Sequence, residues 1–244
     1  MSISYTVADW KGYERRNFEV GGRPSCVILP KKAAECCPWL WRTEFLGAFD
    51  CVDMALLERG WHVAYHKVSD MYGCPESVVM MREFQEVAEE EFGLSPYPAL
   101  FGFSRGGLYA VNYAKAYPSH VGLLYLDAPV LDIRNWPITT SNDKERNECL
   151  KWFGLTMETL DAFRGCPIDY AADIAASGLP VLIVAGAEDK TVYYEENTAV
   201  FERRYKAAGG RRMLVIVKPH CDHHPHSLEE PDVAVAYIEA NIRR

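Results

Sequence analysis

The sequence predicts one α/β domain, built on a mostly parallel sheet with helices on both faces. Strand-like apolar runs alternate with amphipathic runs beyond about residue 30, the pattern of parallel strands joined by crossover helices. The chain has 244 residues, 49% of them hydrophobic, enough to bury one large core. A turn reading GFSRGG, residues 102–107, joins the apolar run 98–101 to a second one at 108–111.

The opening departs from the alternation: residues 16–20, the Gly21-Gly22 turn and residues 25–29 predict a hairpin. Strands are then expected at 61–66, 99–103, 121–126, 181–185 and 213–217. The stretch 75–92 predicts a helix, with proline at a favourable first-turn position and Gly93 at its end. Residues 127–180 are far too long for a single crossover helix. Helix starts at 142–146 and 156–160 lead to the expectation that residues 129–170 form a small helical cap over the carboxyl edge of the sheet, within a single domain spanning 1–244.

The net charge is −8, and no lysine- or arginine-rich stretch offsets it, which argues against nucleic acid or an anionic membrane as partner. Residues 1–6 lack a basic and an apolar signal region, and nowhere do about 18 apolar residues run together. A soluble, cytoplasmic chain is expected. Its eight cysteines include no CxxC pair, and several sit in apolar runs, so reduced thiols are expected.

The GFSRGG turn places Ser104 between Gly102 and Gly106 in the GxSxG pattern, where a sharp strand-to-helix reversal exposes one hydroxyl. A serine hydroxyl is a weak nucleophile unless a base lies in hydrogen-bond reach and a third group orients that base. The 181–185 strand runs into Gly186-Ala187-Glu188-Asp189, leaving Asp189 just beyond its end. Asp189 is the expected orienting acid, though it also suits the cap of a helix beginning near Val192. Glu188, Asp127 and Asp132 are the alternatives. After the last strand comes KPHCDHHPHSLEEP, which gathers His220, His223, His224 and His226, four of the chain's seven histidines.

With serine, acid and histidine in that chain order, each after its own strand, the chain resembles the α/β-hydrolases over nearly its whole length. In that superfamily the base lies in a loop reading GxGHxxxxxxP, and the resemblance selects His223 here, with Asp222 in place of the usual glycine. His226 ranks second and His224 third. It also implies an oxyanion hole made by the main-chain N–H of Arg105 and a second N–H from the loop after residues 27–29, assigned to Lys32 or Lys31. The Arg105 guanidinium is read either as binding substrate or as pairing with an acid such as Glu44 or Asp132. Trp39 and Trp41 of PWLWRTEF, residues 38–45, are read as core or as a wall for an acyl group or sugar, with Trp136 opposite. The blocks PWLWRTEF, GFSRGGLY, LDAPVLDIRNWP and HHPHSLEEP together resemble a bacterial group of α/β-hydrolases. That resemblance implies hydrolysis of a small-molecule carboxylic ester, including acylated plant carbohydrates, without a cofactor. The histidine cluster also suits a metal, but structural zinc draws on separated ligand pairs and no second pair is present, so none is expected.

Overall fold

A computed structural model describes residues 3–140 and 142–243; Met1, Ser2, Ser141 and Arg244 lie outside the described residues. Among the described residues nine strands form one sheet. In chain order they are β1 (Thr6–Trp10), β2 (Tyr13–Val20), β3 (Arg23–Leu29), β4 (Trp39–Arg42), β5 (His62–His66), β6 (Ala99–Phe103), β7 (Leu123–Asp127), β8 (Val181–Gly186) and β9 (Met213–Lys218). Their spatial order is β1-β2-β3-β5-β4-β6-β7-β8-β9. The first three form an antiparallel meander, β3 pairs antiparallel with β5, and every later pairing is parallel.

Helices α1 (Cys51–Glu58), α2 (Pro75–Phe92), α3 (Gly106–Ala116), α4 (Asp143–Phe153), α5 (Ala171–Ser177), α6 (Thr198–Ala207) and α7 (Asp232–Asn241) complete the elements. One face of the sheet packs Leu40, Phe101, Phe103 and Tyr125 against α1 and α7. The other packs Trp39, Trp41 and Leu100 against Phe84 of α2 and Tyr109 and Tyr113 of α3. Strands covered on both faces read as continuous apolar runs, and β6, ALFGF, is buried at every position.

The sheet holds two strands that the sequence pattern did not yield, β1 and β4. Between β7 and β8, α4 forms where expected, with the Asn142 side chain accepting a hydrogen bond from the Glu145 N–H at 3.3 Å. The second expected helix start does not: residues 156–159 fold as a turn in which Thr156 and Thr159 satisfy one another's backbone, followed by one 3-10 turn at Leu160–Ala162. All eight cysteines are unpaired. Among the described residues no helix is long and apolar enough to cross a membrane.

His66, at the end of β5, is 2% exposed, lies 2.9 Å from Ser25 Oγ through Nδ1 and stacks on Phe84. Burial first, and the Arg23 charge second, push its pKa from 6.5 down to about 4. The unfolded chain therefore takes up the proton before the folded one, so stability is full above pH 6.5 and declines as pH falls toward 4. The loss across that window amounts to about 3 kcal/mol. His66→Phe keeps the stacking, and Ser25 Oγ still donates to Arg23 O at 3.1 Å. Urea midpoints between about pH 7 and 4.5 should fall less in the variant than in the wild type; parallel curves would refute the assignment.

Candidate active site

Ser104 follows β6 and precedes α3, at φ +49°, a left-handed conformation strained for a residue carrying a Cβ. The backbone around it is pinned: the Ser104 N–H donates to Asp127 O at 2.8 Å, and its carbonyl accepts from Val130 N–H at 2.9 Å and Gly107 N–H at 3.0 Å. The neighbouring glycines serve close packing. A Cβ at Gly102 would come within 2.9 Å of Gly106 O, one at Gly106 within 3.0 Å of Thr43 Oγ1, and one at Gly107 within 2.7 Å of the Pro129 side chain.

Three side chains from separate parts of the sequence meet at this turn. Ser104 Oγ lies 3.0 Å from His223 Nε2, and His223 Nδ1 lies 2.8 Å from Asp189 Oδ2. An ionised carboxylate only accepts hydrogen bonds, so Nδ1 carries the ring proton and Nε2 presents its lone pair to the serine. Asp189 is 5% exposed and its other oxygen accepts from the Thr191 and Val192 N–H groups at 2.8 and 2.7 Å. It therefore pairs with the imidazole, whereas the helix expected to begin near Val192 does not form: Asp189 closes a turn that leads to one 3-10 turn at Tyr194–Glu196.

The histidine loop is held from two sides. Asp222 Oδ1 accepts from the N–H of Lys190 at 2.9 Å and of His223 at 2.7 Å, ties that hold its carboxyl below the usual range. A Cβ at Gly186, the last residue of β8, would strike Cys221 O and come within 2.6 Å of Asp222 O, so glycine is what lets the loop cross that strand end.

A second histidine–carboxylate pair lies alongside. His226 Nδ1 is 2.6 Å from Asp127 Oδ1, and the Ser227 N–H donates to Asp127 Oδ2 at 2.7 Å; Asp127 is 1% exposed. His224 is exposed and stacks on Phe49. Burial, then the neighbouring His226 and His223 imidazoles, lower its pKa. Phe45, Ala48, Phe49, Phe103 and the three histidines enclose a pocket of about 190 Å³ over Ser104. A larger groove of about 620 Å³ runs along α2, α3 and α4 but is lined by neither Ser104 nor a histidine.

The loop after β4 forms the pocket's far side. Arg42, fully buried, donates from Nε and Nη2 to both oxygens of Asp53 in α1 at 2.7 and 2.6 Å. Thr43 Oγ1 donates to Gly106 O at 2.9 Å, clamping the loop to the serine turn. Glu44 accepts from Arg105 at 3.1 and 3.2 Å; burial raises its carboxyl pKa, with the Arg105 charge and a Ser69 hydrogen bond opposing. Of the two roles considered for Arg105, the side chain takes the ion pair.

Three sequence expectations are corrected. Lys31 and Lys32 follow β3, which runs antiparallel to β5, so they lie at the amino edge of the parallel strands; Lys32 O would lie 2.8 Å from a Cβ at Gly60, ahead of β5. Ser104 stands at the carboxyl edge, out of their reach. Trp39 and Trp41 are 0% and 1% exposed, packed on Phe84 and Tyr113, and form core rather than a substrate wall. Trp136 is half-buried near Tyr72, with ring centroids 6.1 Å apart, and does not line the Ser104 pocket. The phenylalanines that do, Phe45, Phe49 and Phe103, were missed. The signal lay in PWLWRTEF itself, whose final residue is Phe45.

No protein-family model matches the chain, and no curated protein matches it in sequence. Solved structures match it in shape. Est1E from Butyrivibrio proteoclasticus superposes with a TM-score of 0.66 at 18% identity, covering 97% of this chain and 96% of that one. An S-formylglutathione hydrolase from Agrobacterium tumefaciens gives 0.62 at 17%, covering 98% and 96%. Both match over nearly their whole length. The chain has the α/β-hydrolase fold. Dipeptidyl peptidase 4 of Porphyromonas gingivalis gives 0.67 at 13% identity, but the chain spans only 35% of that protein. In this chain the loop after β4 faces the serine turn, with Thr43 Oγ1 bonded to Gly106 O.

Proposed function

We propose that the protein is a serine hydrolase that cleaves carboxylic esters of small acyl groups through an acyl-enzyme. The hydrogen-bonded chain Ser104–His223–Asp189 carries this reading. Ser104 Oγ attacks the ester carbonyl while His223 Nε2 takes its proton and then delivers it to the departing alcohol. Asp189 holds the imidazole in the required tautomer and balances the charge it gains. Water, deprotonated by the same histidine, attacks the acyl-enzyme and releases the acid and the serine.

The tetrahedral oxyanion takes one hydrogen bond from the Arg105 N–H, next to the nucleophile. The second donor comes from the loop after β4. The Thr43 N–H is already bonded to Phe101 O, and Phe45, at φ +54°, lines the same pocket as Ser104, so its N–H is assigned this role. A volume of about 190 Å³ falls below the roughly 300 Å³ of common ligand pockets, which favours a short acyl chain. Esterases and hydrolases among the matched structures, and the sequence resemblance, support an ester; a sugar alcohol, left outside the pocket, fits the class that resemblance implies.

A fluorophosphonate probe should label the protein stoichiometrically on Ser104, and rates on p-nitrophenyl esters should fall from acetate to octanoate. Absence of labelling would end the serine reading, whereas an octanoate preference would end only the short-chain one. Gly186→Ala should lower kcat/KM by about 100-fold, since the added methyl displaces the loop carrying His223 by a fraction of its hydrogen-bond length. An unchanged rate would show that the loop yields elsewhere.

A further inference from the structure

The His226–Asp127 pair has no part in the proposed reaction, yet it repeats the geometry of His223–Asp189 one turn of the loop away. Two adjacent imidazoles each donate Nδ1–H to a buried carboxylate, which leaves both Nε2 atoms as acceptors at the pocket, that of His223 engaged by Ser104 Oγ at 3.0 Å. His224 completes the group. The three rings stand edge to face with centroids 4.8–4.9 Å apart, and one ring nitrogen from each lies within 4.8 Å of the others. We propose that His223, His224 and His226 bind a single zinc-class divalent ion, with Ser104 Oγ or water as fourth ligand, and that the bound ion switches the hydrolase off.

The chemistry of the ligands favours this class of ion. Imidazole nitrogens suit zinc, nickel and copper, whereas magnesium and calcium require oxygen ligands. A carboxylate behind a ligating histidine fixes its tautomer and raises its basicity, and here two of three ligands have one. Those carboxylates, Asp127 and Asp189, also offset the charge of a divalent ion. Sequence spacing argued against a metal because only one cluster of ligands exists; the fold supplies what spacing lacks by bringing Asp127 from β7 and Asp189 from beyond β8 to the same loop.

Geometry requires a modest adjustment. Tetrahedral zinc at about 2.0–2.1 Å from each nitrogen needs them about 3.3 Å apart, so the group must tighten by up to about 1.5 Å. His224 can provide this, since it is exposed and among the described residues its side chain makes no hydrogen bond. His223 and His226 supply their share by turning about their Nδ1–carboxylate bonds. The ion takes the Nε2 lone pair that must receive the Ser104 proton, so occupancy removes the base from the reaction.

The inhibitory half of this inference rests on the proposed hydrolase activity; the metal site does not. Metal-stripped full-length protein is titrated calorimetrically with zinc chloride and with magnesium chloride. One zinc per chain and no magnesium are expected, with zinc affinity reduced at least tenfold in His224→Ala and in His226→Gln, whose amide can still donate to Asp127. Zinc should also block hydrolysis and fluorophosphonate labelling with the midpoint seen by calorimetry. Unchanged affinity in both variants would place the ion elsewhere and overturn the site; zinc that binds and leaves hydrolysis unaltered, or raises it, would overturn the inhibition. Protein that binds zinc through these residues but neither turns over esters nor labels would retain the site and refute the hydrolase.

Discussion

Ser104→Ala is expected to lower kcat for ester hydrolysis by at least about 10⁴-fold, to the level left by oxyanion and binding contributions alone. The size follows from the covalent route: without the hydroxyl there is no atom to form the acyl-enzyme, and His223 can only assist a loosely held water. Stability should hardly change, because Ser104 is partly exposed and its side chain bonds only to His223, whose other nitrogen remains tied to Asp189. Urea unfolding should place Ser104→Ala within about 0.5 kcal/mol of wild type. Ser104→Gly adds a control on the strained turn. Glycine adopts φ +49° without cost, so this variant should be equally inactive but about 1 kcal/mol more stable than Ser104→Ala. Near-wild-type turnover in either variant would mean that the nucleophile lies elsewhere.

The serine turn was legible in sequence because its constraint is local. GFSRGG encodes a reversal in which every glycine has a nearby atom to avoid, and that pattern survives without knowledge of the sheet. The loop that faces the serine turn was not legible, because sequence does not reveal strand direction. Residues 25–29 look like any buried strand, and only the pairing Ile28↔Val63 shows that β3 runs against its neighbour and delivers Lys31 and Lys32 to the wrong edge. Strand β4 is four residues long, and its two tryptophans suggested a binding surface. Their period-2 spacing, with Leu40 facing the opposite core, was the available clue to a central strand. The choice among histidines was harder still. Neighbours in one loop, His223 and His226 each meet a carboxylate from a different strand end, and it is His223 that the fold sets 3.0 Å from Ser104 Oγ.

That difference yields the second large effect. His223→Ala should reduce kcat/KM by about 10⁴-fold or more, since it removes the base hydrogen-bonded to Ser104 among the described residues. His226→Ala should leave most of the chemistry in place yet destabilise the fold by about 3–5 kcal/mol, because it strands the Asp127 carboxylate in the protein interior with only the Ser227 N–H as partner. The cost arises from an uncompensated charge rather than from lost packing, which a double variant can separate. In His226→Ala/Asp127→Asn the neutral amide oxygen still accepts from Ser227 N–H, so the pair should be more stable than His226→Ala alone, a non-additivity of the kind expected for directly bonded residues. Urea unfolding and initial rates on one activated ester measure both axes for all three proteins. If the effects are exchanged, with His226→Ala inactive but stable and His223→Ala active, then the Asp127 pair supplies the base and the serine must move toward it during turnover.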